Sequence, residues 1–114
     1  IFDEVLEKYP QSEYVKEAKE KREACIRMQV EKEIYIGDFY YIREEWLSAL
    51  GRYEGLMKDG KDFDQKAHVL ARAAISAKKL GELQKSKTYF DSLEGGYRNS
   101  DSYEEALKEG LKKP

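Results

Sequence analysis

Acidic side chains stand in adjacent pairs at Asp3/Glu4, Glu44/Glu45 and Glu104/Glu105, and carboxylates are among the residue types that general acid–base catalysis uses. Neighbouring positions on a helix point to different sides, however, and no third group or apolar pocket accompanies any of these pairs. They read as solvated faces. His68 follows Asp64 at an i, i+4 spacing, which would place both on one helix side as half of a metal site. One imidazole and one carboxylate fall short of the ligand set a metal needs. Cys25 is the single cysteine, so it forms no internal disulfide, and it reads as a small buried hydrophobe on a helix. The sequence holds no Gly-rich phosphate loop and no nucleophile elbow. We therefore expect no catalytic, cofactor-binding or metal-binding residues, and not an enzyme.

The chemistry that remains is recognition. Arg52 carries a guanidinium that can grip a partner carboxylate through two hydrogen bonds. Its alternative is a surface salt bridge with Glu54 or Asp59, which contributes little. Trp46 has two readings as well: a core aromatic, or a partial anchor at an interface, where Trp and Arg dominate binding energy.

Composition narrows the partner. The 21 basic and 23 acidic side chains are interspersed and give a formal charge of -2, without the one-sided basic excess of a nucleic-acid binder. Nine Tyr, four Phe and one Trp in 114 residues are too many to leave in water, so the chain has a core. No apolar run approaches the length of a membrane span. The opening "IFDEVLEKYP" reads as the second half of a helix, as if cut from a longer protein, and any targeting signal is expected upstream of Ile1.

The elements that must position these residues are helices. A first helix ends at Tyr9-Pro10. Ser12 can cap a second that runs without interruption to Arg43, with Ile26, Val30 and Ile34 repeating along one side. Such length is unusual in a globular domain and predicts an element bridging two packing units. A shorter helix covers residues 45–58 and ends at the Asp59-Gly60 turn. Asp62 can cap a fourth, which Gly81 terminates; a fifth stops at Gly95-Gly96. Ser102 with Glu105 forms a capping box for the last. No alternating strand pattern survives, so the fold class is all-α.

These helices repeat. Gly37, Tyr40, Trp46, Ala49, Tyr53 and Leu56 follow the tetratricopeptide spacing, small residues sitting where two helices approach and aromatics filling the space beside them. Ala74, Ala77, Leu83, Ser86, Phe90 and Leu93 form a second copy in the same register, and Phe2, Val5 and Pro10 match the end of a half copy. The expected architecture is a tetratricopeptide-like helical-hairpin solenoid forming one domain over residues 1–114. It has a half repeat at 1–11, a long bridging helix at 12–43, and repeats to 114.

The segments "YPQSEYVKEA", "DFYYIREEW" and "GRYEGLMKDG" resemble the carboxy-terminal half of BamD (YfiO-type) outer-membrane assembly lipoproteins. The matching positions are Pro10, Ser12, Tyr14, Phe39, Tyr40, Arg43 and Trp46, followed by an Arg-x-Glu-Gly motif at Arg52, Glu54 and Gly55. Two departures stand out. Gly60-Lys61 replaces the family's Tyr-Pro, and its Arg-Gly-x-Trp turn reads Arg43-Glu44-Glu45-Trp46, which puts a charge where a tight turn is expected. The resemblance implies a non-catalytic periplasmic scaffold of the β-barrel assembly machinery at the inner leaflet of the bacterial outer membrane. Its membrane contact would be through an amino-terminal lipid alone. The implied partners are a POTRA domain of a BamA-like barrel subunit and other assembly-machinery lipoproteins. The implied contact surface is Arg52 with Glu54, Arg43 and Asp59 around it. The competing reading is a generic tetratricopeptide module that holds a peptide or partner protein in its concave groove. Such grooves present several cations along the first helices of their hairpins, and here the second copy offers Arg72 among alanines.

Overall fold

The computed structural model describes residues 13–58 and 62–111. Among these residues the chain is all-helical, with no strand: α1 (Glu13–Ile42), α2 (Trp46–Met57), α3 (Lys66–Lys79), α4 (Leu83–Tyr97) and α5 (Asp101–Lys108). The half repeat, Ser12 and Asp59 lie outside the described residues. The chain divides into two compact units, residues 1–32 and 33–114, and α1 contributes to both.

In the first unit, Val15 and Ala18 are buried and Lys21 pairs with Glu17 at 3.2 Å. Cys25 is exposed rather than buried, and so are Ile26 and Met28 beside it. The expectation of a buried thiol fails because an apolar helix position is buried only where a second element covers it. The same holds for the Ile26, Val30 and Ile34 series, of which only Ile34 is buried.

In the second unit the hairpins take the predicted tetratricopeptide form. At Gly37, α1 packs closely on a side chain of α2: a Cβ built there would lie 2.6 Å from Tyr53 Cε1. Ala49 and Tyr53 are fully buried in that hairpin, whereas Tyr40 and Trp46 are half-buried. Trp46 meets Tyr41 edge-on with ring centroids 5.3 Å apart. The α3–α4 hairpin repeats the arrangement, burying Ala74, Ala77, Ser86, Phe90 and Leu93. Ser86, at the register position of Ala49, donates its hydroxyl to Ala74 O at 2.8 Å and so satisfies itself in the close approach. Leu83, at the position of Trp46, departs from the pattern and is 67% exposed. α5 closes the core, with Tyr103 stacked on Phe90 at 5.6 Å and Ala106 and Leu111 buried.

Three helices end in the same way. After α3, Gly81 (φ +82) lets Gly81 N–H donate to Lys78 O and Glu82 N–H to Ala77 O, as predicted for Gly81. After α5, Gly110 (φ +90) does the same with Leu107 O and Ala106 O. After α1 the pattern recurs with Tyr41 O and Tyr40 O, but the residue at φ 61 is Glu44. The turn thus keeps its shape although a side chain stands where glycine is favoured, at a cost of about 1–2 kcal/mol.

Other termini move from their predicted places. Asp62 does not cap α3: its Oδ1 accepts from Phe63 N–H at 3.0 Å and from Tyr97 Oη at 2.8 Å, and α3 begins after Gln65, which takes φ 68. Gly95-Gly96 do not end α4, which continues to Tyr97, because Leu93 and Tyr97 anchor this turn against the core. The cap of α5 is Ser100, not Ser102; Ser100 Oγ accepts from Tyr103 N–H at 3.2 Å. Ser100→Ala should therefore cost about 1 kcal/mol in urea unfolding. Ser102→Ala should stay within about 0.5 kcal/mol. Equal losses would put the cap back at Ser102.

Candidate partner-docking site

Arg52 projects from α2, its side chain 44% exposed. Its Nη1 donates to Glu33 on α1, at 3.0 Å to Oε2 and 3.4 Å to Oε1. The surface partner among the described residues is thus Glu33 rather than Glu54. Glu54 faces away toward α4, where its Oε2 accepts from Tyr89 Oη at 2.5 Å and pairs with Lys85 Nζ at 3.3 Å. Burial, then the hydrogen bond to Glu54, pushes the Tyr89 phenol well above its ordinary pKa. Glu54 therefore joins two hairpins. Arg43 is exposed at the end of α1, donating from Nη1 to Phe39 O at 3.1 Å with its guanidinium 3.5 Å above the Phe39 ring. Around Arg52 the helix surface is bare, since a Cβ at Gly51 or Gly55 would meet nothing within 4 Å.

Behind this surface lies a polar cluster that sequence patterning does not reveal. Asp38, one position after the close-approach glycine, receives Tyr53 Oη from α2 at 2.5 Å. His68 from α3 reaches both its oxygens, with Nε2 2.9 and 3.0 Å away. Arg72 Nη1 lies 3.3 Å from the same carboxylate, its guanidinium sits 4.3 Å above the Tyr41 ring, and its Nε faces Glu105 of α5 at 3.7 Å. One aspartate thereby ties α1 to both following helices. Burial alone would raise the Asp38 pKa, but hydrogen bonds from His68 and Tyr53 and the charges of His68 and Arg72 hold it below the usual carboxylate value. Burial opposes the Arg72 charge too, and the Asp38 carboxylate restores it. Burial, then the Glu105 charge, pushes the Tyr41 phenol up to about 12.

His68 thus pairs with Asp38 rather than with Asp64, which is exposed. Among the described residues no group of three or more His, Cys, Asp or Glu side chains is arranged to hold a metal ion. The signal that could have found the cluster is Asp38 itself: a charge beside the small residue of a hairpin contact must be paired from the facing helix.

Stacked helical hairpins with small residues at each crossing, joined by polar pairs, define the class: a tetratricopeptide-like repeat protein. A family model described as YfiO, outer membrane lipoprotein, matches residues 1–93, and the chain belongs to that family. It is 33% identical over 61 residues to the outer membrane protein assembly factor BamD of Vibrio cholerae serotype O1, covering 54% of this chain and 25% of that protein. The matched stretch thus spans a quarter of the relative's length. No solved structure matches the chain.

Proposed function

We propose that this chain is a non-catalytic scaffold of the machinery that assembles outer-membrane proteins, and that it works in the periplasm beside the outer membrane. A POTRA domain of the barrel subunit would dock on the α2 surface centred on Arg52, with Arg43 at its edge and Glu54 bracing it from behind. Family membership supports the assembly role. The observation that carries the docking reading is Arg52 itself: a half-exposed guanidinium, held across two helices and flanked by bare glycine surface. An interface arginine in such a setting can engage a carboxylate with both hydrogen bonds and charge. A peptide-groove reading is weaker, because Arg72, the cation it would use, is already paired with Asp38 and Glu105.

Arg52→Glu should leave the fold intact, since it breaks a surface pair worth under about 1 kcal/mol. It should weaken binding to the cognate POTRA region by roughly 2 kcal/mol or more, because the partner's carboxylate would meet a like charge. Calorimetric titration of both proteins, with circular dichroism to confirm folding, checks this. Equal affinities would remove Arg52 from the interface, and failure of both proteins to bind would count against the scaffold role.

A further inference from the structure

We propose that Glu33 is a positioning residue for Arg52, holding its guanidinium so that the free edge faces the docking partner. The inference rests on the reading of Arg52 as the docking residue. Both contacts with Glu33 use a single donor nitrogen, Nη1. The Nε–H and Nη2–H edge, which forms the fork that grips a carboxylate side-on, has no hydrogen-bond partner among the described residues.

Glu33 is suited to this role by its place in the fold. It stands on α1 and Arg52 on α2, and the Gly37 contact with Tyr53, on the same two helices, fixes how they cross. Its side chain is 25% exposed against 44% for Arg52, so the anchor is the more enclosed of the two. An arginine on open surface loses much of its rotamer freedom when a partner immobilises it. Here that loss is taken largely within the folded chain. Among the described residues, a Cβ at Gly51 or Gly55 would meet nothing within 4 Å, so the helix surface next to Arg52 is open.

Glu33 carries a charge of the same sign as the carboxylate it would help to recruit, so its two effects oppose each other. They can be separated chemically. Glu33→Gln keeps an oxygen acceptor for Nη1 and removes the repulsion, whereas Glu33→Ala removes both.

The experiment titrates wild-type protein, Glu33→Ala, Glu33→Gln and Arg52→Ala against the soluble POTRA repeats of the cognate barrel subunit. Side-chain ¹⁵N relaxation of Arg52 Nε in the free proteins reports order directly, and thermal melts check folding. Glu33→Ala should weaken binding about 3- to 10-fold, the loss expected from freeing one long side chain. Arg52 Nε should become mobile in that variant. Glu33→Gln should bind within about 2-fold of wild type, or more tightly, and keep Arg52 ordered. If Arg52→Ala loses affinity while Glu33→Ala does not, docking stands and the positioning role is overturned. If Glu33→Gln fails as badly as Glu33→Ala, charge rather than orientation is at work, and the proposal is again overturned. If Arg52→Ala binds like wild type, the docking reading fails and the positioning role fails with it. Were Glu33→Ala to unfold, Glu33→Gln with an unchanged melt but a mobile Arg52 would overturn the proposal.

Discussion

Replacing Asp38 with alanine should lower the unfolding free energy by about 2–4 kcal/mol, because it leaves a buried hydroxyl unpaired and takes the nearest carboxylate from a partly buried guanidinium. Tyr53 is fully buried, and its hydroxyl donates to Asp38, so the alanine variant strands that donor where water does not reach it. Arg72, with 19% of its side chain exposed, loses its nearest carboxylate and keeps the longer contact to Glu105 and its place above the Tyr41 ring. Asp38→Asn retains an acceptor for Tyr53 but not the charge that faces Arg72, and should fall between wild type and alanine. The same carboxylate gives the protein an acid limit. Folded Asp38 keeps its charge to lower pH than the unfolded chain does. Its contribution is therefore fully present above about pH 4 and drains away as pH falls from there through the folded-state value. Urea unfolding of wild type and Asp38→Ala across that range should give curves that converge toward acid. A constant gap between them would mean that the charge of Asp38 is not what stabilises the cluster.

Tyr53→Ala should cost about 3–5 kcal/mol, the range for emptying a large aromatic site in a closed core. The informative result is how Gly37→Ala behaves with and without that ring. In wild type the added methyl would meet Tyr53 Cε1 at 2.6 Å, and overpacking should destabilise by about 1–3 kcal/mol. In the Tyr53→Ala background the ring is gone, and the alanine should instead stabilise α1 by about 1 kcal/mol through helix propensity. The sign change measures the contact itself, as a coupling between neighbours. Additive effects in chemical denaturation would show that Gly37 is not held at this crossing by Tyr53.

The sequence determined a great deal of this protein by itself, because helices and their hairpins are local. Helical periodicity and the scarcity of proline were enough for an all-α chain and for a long helix, observed as Glu13–Ile42. The spacing of Gly37, Ala49 and Tyr53, repeated at Ala74, Ser86 and Phe90, was enough for the register, since those residues must face one another wherever two helices cross closely. The docking role given to Arg52 is a proposal that rests on its motif. Helix ends were less secure where several residues compete for one role. Ser100 and Ser102 both suit a cap, and only the packing of Tyr103 on Phe90 decides where the last helix begins. Likewise glycines that break an isolated helix are carried through α4 by the core contacts of Leu93 and Tyr97. What only the tertiary structure decided is the pairing of charges. Asp38 with His68 and Arg72, Glu54 with Tyr89, and Glu33 with Arg52 all join residues far apart in the chain. With 39% of the residues charged, sequence offers nearly every ion many partners at helical spacing, such as Asp64 for His68. An ion pair depends on an approach of a few ångströms, and that distance is set by how whole helices cross, not by the residues beside it in the chain.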